Sequence, residues 1–96
     1  MNLIFDPLAQ KEYDEALDYY EVQEEGLGAK FRGAVWAALE MLERFPSLGE
    51  QVRPEIRRVV LRRFPYKLIY SVIDNDLYVI AVAHSRREPN YWVDRI

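Results

Sequence analysis

Cysteine is absent from the 96-residue chain and histidine occurs once, at His84. Disulfide scaffolds, iron–sulfur sites and thiol catalysis are thereby excluded, and so is a zinc site built from His and Cys. No apolar run approaches the roughly 18 residues a membrane-spanning helix needs. The start, Met1-Asn2-Leu3-Ile4-Phe5-Asp6, lacks the basic region and apolar stretch of a secretion signal, so the expected setting is the cytoplasm. Glycine is scarce, with four in all, and no glycine-rich loop able to cradle phosphate can be assembled: Gly26-Leu27-Gly28 lacks the further Gly and the Lys of such a loop and suits a helix-ending turn. What is present is apolar. Half the residues are hydrophobic and 30% are charged, the balance of one globular domain spanning residues 1–96.

The net charge of -3 conceals an asymmetry. Residues 1–50 hold four basic residues against eleven acidic ones, and residues 51–96 hold nine against five. Arg53, Arg57, Arg58, Arg62, Arg63 and Lys67 fall within fifteen residues, and ten of the thirteen cations are Arg, the side chain suited to bidentate phosphate or carboxylate contacts. Such a split points to a surface facing a polyanion or an acidic partner. The plainer alternative is solvated strand edges that discourage edge-to-edge pairing.

Leu3-Ile4-Phe5 reads as a short strand and Asp6-Pro7 as a helix start, with Asp accepting from the first-turn amides and Pro losing no needed donor. Ala9, Tyr13, Ala16, Leu17 and Tyr20 form one helical face, and Glu12, Asp14, Glu15, Asp18 and Glu21 an acidic outer one. Phe31, Ala34, Val35, Ala38, Leu39, Leu42 and Phe45 make the stripe of a second helix, stopped by Pro46. Residues 46–55 read as a loop. Strands are predicted over Ile56–Phe64, Tyr66–Ile73 and Leu77–His84, the last two joined by an Asp74-Asn75-Asp76 turn, and Ser85–Ile96 as a polar tail. The order β-α-α-β-β-β implies an α+β fold, an antiparallel sheet with an αα-hairpin packed on one face.

Alternation puts Tyr78, Ile80, Val82 and His84 on one face of the last strand; Arg58 and Arg62 share one face of an earlier strand and Arg57 and Arg63 the other. Spacing leaves open which Arg set the helices cover. The uncovered face is expected to gather Arg58 or Arg57, Arg62 or Arg63, Lys67, Arg86 or Arg87, and the rings of Tyr91 and Trp92. Cations among flat rings suit single-stranded RNA, and an acidic protein segment suits them too. Metal-free RNA cleavage through the ribose 2′-hydroxyl fits such a set: Arg87 stabilises charge, and Tyr91 offers a stacking ring, or a proton if neighbouring cations lower its pKa. His84 is the one candidate base, although its neighbours also suit a partly buried structural His. A Ser-His-Asp triad from Ser71 or Ser85, His84 and Asp74 has no nucleophile elbow to support it.

The run Ile56-Arg57-Arg58-Val59-Val60-Leu61-Arg62-Arg63-Phe64-Pro65-Tyr66-Lys67-Leu68-Ile69-Tyr70, with Val82-Ala83-His84-Ser85-Arg86-Arg87-Glu88-Pro89-Asn90-Tyr91-Trp92, resembles the RelE/ParE superfamily of toxins from type II toxin–antitoxin modules. The helix Glu12-x-x-x-Ala16-x-x-x-Tyr20-Glu21, the turn Gly26-Leu27-Gly28-x-x-Phe31 and Phe45-Pro46 add to the resemblance, which covers nearly the whole chain. It implies a compact toxin, held in a hetero-oligomer by a cognate antitoxin, with no cofactor, no metal and no membrane. RelE-like members cut mRNA in the ribosomal A site; by position Arg58, Lys67, Arg87 and Tyr91 match their cleavage set, while a second strand Lys falls on Val60. ParE-like members inhibit DNA gyrase by binding. The matching basic residues favour the ribosome and mRNA as target, with gyrase as the alternative; Arg57, Arg62, Arg63, Arg86 and Trp92 are the expected RNA- or antitoxin-binding residues.

Overall fold

The computed structural model describes Met1–Ile96. Strand β1 (Asn2–Phe5) is followed by helices α1 (Pro7–Gln23) and α2 (Leu27–Arg44), then strands β2 (Glu50–Arg53), β3 (Ile56–Val60), β4 (Tyr66–Ile73) and β5 (Asp76–His84), and a short 3-10 turn, Val93–Arg95. The five strands form one sheet in the order β1-β5-β4-β3-β2. The expected α+β architecture holds, with three differences. Glu50–Arg53, expected as loop, pairs with β3 as an edge strand. The sheet is not wholly antiparallel, because β1 runs parallel to β5. The first basic strand stops at Val60 rather than Phe64, because Arg63 adopts a left-handed backbone (φ 69°) that turns the chain towards Pro65.

The start of α1 follows its sequence signal: the Asp6 carboxylate accepts the Leu8 N–H at 2.9 Å, with Pro7 in the first helical position. Between the helices Gly26 takes φ 87°, and the Glu21 carboxylate accepts the N–H groups of Gly26 and Gly28, both at 3.0 Å. One side chain thus ties the end of α1 to the start of α2. The helices bury Ala9, Tyr13, Ala16, Phe31, Val35, Leu39 and Leu42 against Leu68, Tyr70, Leu77, Val79 and Val82 of the sheet. This is the main core.

A second apolar layer lies on the opposite face. Ile56, Ile69, Ile80 and Ala81 pack with Trp92, flanked by Val52, Tyr78, Tyr91 and Val93. The polar tail folds back across the sheet and brings Trp92 to the open face as expected, but as a buried residue, 3% exposed, rather than an accessible ring. The two layers coexist on β5 because of a bulge: Ile69 pairs with Ala81 but Tyr70 with Val79, which leaves Ile80 as an extra residue. Strict alternation breaks there. Tyr78 and Ile80 face the tail, whereas Val82 and His84 face the helices, a correction to the single face predicted from spacing.

Candidate functional site

Register settles which cations the sheet exposes. Arg58 pairs with Ile69 and Val60 with Lys67, so Arg58, Val60 and Lys67 share the face opposite the helices. They border a depression of about 310 Å³ with Glu50, Tyr66 and Ser85. Arg58 is not free there: its Nε donates to Glu50 Oε1 at 2.6 Å across the β2–β3 pair. Val60, 69% exposed, puts an apolar side chain where the resemblance calls for a lysine. Arg57 turns the other way and donates to the carbonyls of Gly49 (2.8 Å) and Ser47 (3.4 Å), holding the loop before β2.

His84, Arg87 and Tyr91 come together elsewhere, in a cleft of about 170 Å³ between α1 and the end of β5, with Glu12, Glu15, Ala16, Tyr66 and Val82. The Tyr91 hydroxyl donates to Glu12 Oε2 at 2.7 Å. Arg95 clasps the same carboxylate through two N–H groups at 2.9 and 2.8 Å, and the Val82 N–H reaches it at 2.9 Å. The Arg87 guanidinium lies 3.9 Å from the centroid of the Tyr91 ring, and that of Arg95 lies 5.0 Å away. Burial and the Glu12 carboxylate push the Tyr91 hydroxyl well above the ordinary tyrosine range, and the two arginines only partly oppose this. The expectation of a lowered pKa is thus reversed. At His84, Nδ1 accepts the Arg86 N–H at 3.0 Å, so the neutral ring carries its proton on Nε2; the ring stands edge-on to Tyr66, centroids 5.0 Å apart.

The remaining expected site residues scatter. Arg62 and Arg63 project from the loop between β3 and β4 beside Lys30 of α2, Arg86 is exposed beyond β5, and Trp92 is buried in the second layer, unable to stack on a base. The single patch of cations and rings predicted for the open face is therefore divided into the Arg58–Lys67 face, the His84–Arg87–Tyr91 cleft and the Arg62–Arg63 loop. The cause is topological: the loop after Val60 and the tail after His84 leave the sheet, so strand alternation no longer places their side chains.

A sequence model of the family described as ParE toxin of type II toxin-antitoxin system, parDE, matches residues 3–89. The chain belongs to the ParE toxin family. It is a toxin of the RelE/ParE superfamily. Solved structures share its fold. The isolated E. coli RelE toxin is 26% identical, with a TM-score of 0.68, 97% of this chain and 93% of that one being covered. An E. coli RelE arginine-to-alanine double mutant, solved in complex with an antitoxin RelBc peptide, is 23% identical, with a TM-score of 0.67 and coverage of 99% and 93%. A chain in the structure of a chromosomal ParDE TA system from P. aeruginosa is 19% identical, with a TM-score of 0.60 and coverage of 88% and 95%. Comparison with curated protein sequences yields no match.

Three residues that organise this toxin's sites were not singled out from the sequence. By spacing Glu12 falls on the acidic outer face, and it enters the resemblance only as part of a helix motif, with no site role. Its signal was its position between Ala9 and Ala16, three and four residues away, inside the apolar stripe with small side chains on either side. Glu50 and Arg95 carried no local signal, since their partners lie 8 and 83 residues away. No helix of the toxin is long and apolar enough to cross a membrane.

Proposed function

We propose that this toxin disables its target by binding, as a ParE-like inhibitor of DNA gyrase, and that a cognate antitoxin neutralises it in a hetero-oligomer. The observation that carries this reading is the commitment of Tyr91. Its hydroxyl is spent on Glu12, its acidity is suppressed, and its ring is covered by Arg87. A nuclease needs that hydroxyl or ring for the substrate, and needs a base; Val60 stands where the strand lysine would supply one more polar group. The family match favours the same reading. The antitoxin is supported by the RelE mutant solved with an antitoxin peptide, and an acidic segment suits the Arg58–Lys67 face. Reversing the sign of Arg58 is expected to weaken the complex, as is high salt.

A second reading, a ribosome-dependent mRNA endonuclease, draws on the neighbouring Arg58 and Lys67 of the exposed sheet face. Two assays on the same purified toxin separate the two. Under the binding reading, gyrase supercoiling is inhibited and primer extension on a translated message shows no new ends. Cuts in the message that vanish with Arg87→Ala, together with unaffected supercoiling, would reverse the assignment.

A further inference from the structure

A third depression, larger than the sheet-face depression and the tail cleft, lies away from both. It has a volume of about 970 Å³, where the loop between β3 and β4 meets the start of α2. Lys30, Arg62 and Arg63 line it, with Tyr20 and Phe64 among its apolar walls, and no carboxylate borders it. In a chain with 16 acidic residues, a concavity with three cations and no acid is a departure from the average surface. All three cations are exposed, and none takes part in either of the toxin's two ion pairs, Arg58–Glu50 and Arg95–Glu12. Nor do their side chains donate to any protein acceptor, in contrast to Arg57, Arg58 and Arg95. The left-handed backbone at Arg63 sets two consecutive arginines at the rim. The rings of Tyr20 and Phe64 meet edge to face at 4.9 Å and are only half-buried.

We infer that this depression is a docking site for single-stranded nucleic acid, with Lys30, Arg62 and Arg63 on successive phosphates and the Tyr20–Phe64 pair as a platform for a base. The chemistry separates this ligand from an acidic peptide. Carboxylates would occupy the cations but leave the rings without a flat partner, whereas a nucleotide supplies a phosphate and a π-face a few ångströms apart. Arginine adds bidentate contacts to phosphate oxygens. Of the first-turn amides of α2, those of Leu27, Gly28 and Lys30 already donate to the Glu24 carbonyl, the Glu21 carboxylate and the Gly26 carbonyl. The site is built from side chains, and the inference holds whichever target the toxin has.

The test uses the purified full chain without gyrase or ribosome. A fluorescent single-stranded oligonucleotide of roughly ten nucleotides, within the range one such groove accommodates, is titrated by anisotropy at several salt concentrations. The expected result is binding whose salt slope falls by about two units in the triple variant Lys30→Gln, Arg62→Gln, Arg63→Gln, since each phosphate contact on a single strand contributes about 0.7. Arg44→Gln, an exposed cation outside the depression, is expected to change the slope by less than one such contact. Photo-crosslinking with a bromouracil-substituted strand should place adducts on Tyr20 or Phe64. An unchanged slope in the triple variant, adducts confined to residues 84–92, or competition by polyglutamate as effective as by the unlabelled strand would each overturn the inference. All three substituted residues are exposed, so far-UV circular dichroism and the urea midpoint are expected to match wild type.

Discussion

Glu12 and Arg95, 83 residues apart in the chain, form a two-pronged ion pair that closes the open edge of β5. Strand β1 pairs with β5 only as far as Val79, so beyond the bulge β5 is paired with β4 on one side and has no strand on the other. Glu12 takes the Val82 N–H and Arg95 donates to the Ile80 carbonyl at 3.0 Å, so two side chains replace the missing strand. A buried ion pair is poor evidence of net stabilisation, but removing one partner leaves the other charge desolvated. With side-chain exposures of 14% for Glu12 and 10% for Arg95, Glu12→Ala should lower stability by about 3 kcal/mol. Glu12→Gln, which keeps an acceptor, should lower it by less. Urea denaturation measures both, and equal losses would contradict the electrostatic account.

Trp92 should matter as a core residue rather than as a base-stacking ring. Trp92→Ala removes the centre of the second apolar layer and is expected to destabilise the fold by about 3–5 kcal/mol. The segment after His84 should at the same time become sensitive to protease. Wild-type stability in that variant would mean that the tail does not pack on the sheet in solution.

The loop before β2 depends on close approach. A Cβ on Gly49 would lie 2.6 Å from the Arg58 carbonyl oxygen and 2.7 Å from the Tyr70 hydroxyl. Gly49→Ala should therefore cost about 1–3 kcal/mol, measured as a shift in urea midpoint. Tyr70→Phe should cost a similar amount, about 1–3 kcal/mol, because the hydroxyl both accepts the Gly49 N–H at 3.0 Å and donates to the Pro46 carbonyl at 2.8 Å.

Alkaline pH should destabilise the protein through its tyrosines. Burial, first among the causes, raises the pKa of Tyr20, Tyr66, Tyr70, Tyr78 and Tyr91 above the ordinary value of 10.0. The unfolded chain then releases these protons at lower pH than the folded one. Stability is unaffected below about pH 10 and falls as pH rises through the folded-state values. Tyr91→Phe should flatten the decline, and a pH titration of the urea midpoint reads it directly.

Glu50→Gln should leave stability within about 0.5 kcal/mol of wild type, because the Arg58–Glu50 pair is exposed on both sides. Its consequence should be electrostatic: Arg58 gains freedom to meet an acidic partner. Tighter binding to the antitoxin, followed by calorimetry, is the expected outcome, and weaker binding would place Glu50 itself in the interface.

Much of the fold was legible because it rests on local rules. Asp6-Pro7, the stripe from Phe31 to Leu42, Pro46 and the Asp74–Asp76 turn each act within a few residues, and the elements stand where they indicated. The parallel pairing of β1 and the edge strand β2 were not legible. Four-residue strands carry little period-two signal, and their identity comes from the neighbour that completes their hydrogen bonds.

The helical hairpin, the basic strand, the family and the crowding of arginine into the second half all follow from the order of residues along the chain. Where that charge points follows from pairing and packing between segments far apart in it. A single extra residue at Ile80 reverses which face His84 occupies, and the return of the tail buries Trp92 and binds Tyr91 to Glu12. Side-chain direction on a strand follows from counting only while the ladder is unbroken. Past a bulge or a turn it is set by whatever distant groups satisfy the backbone and fill the core.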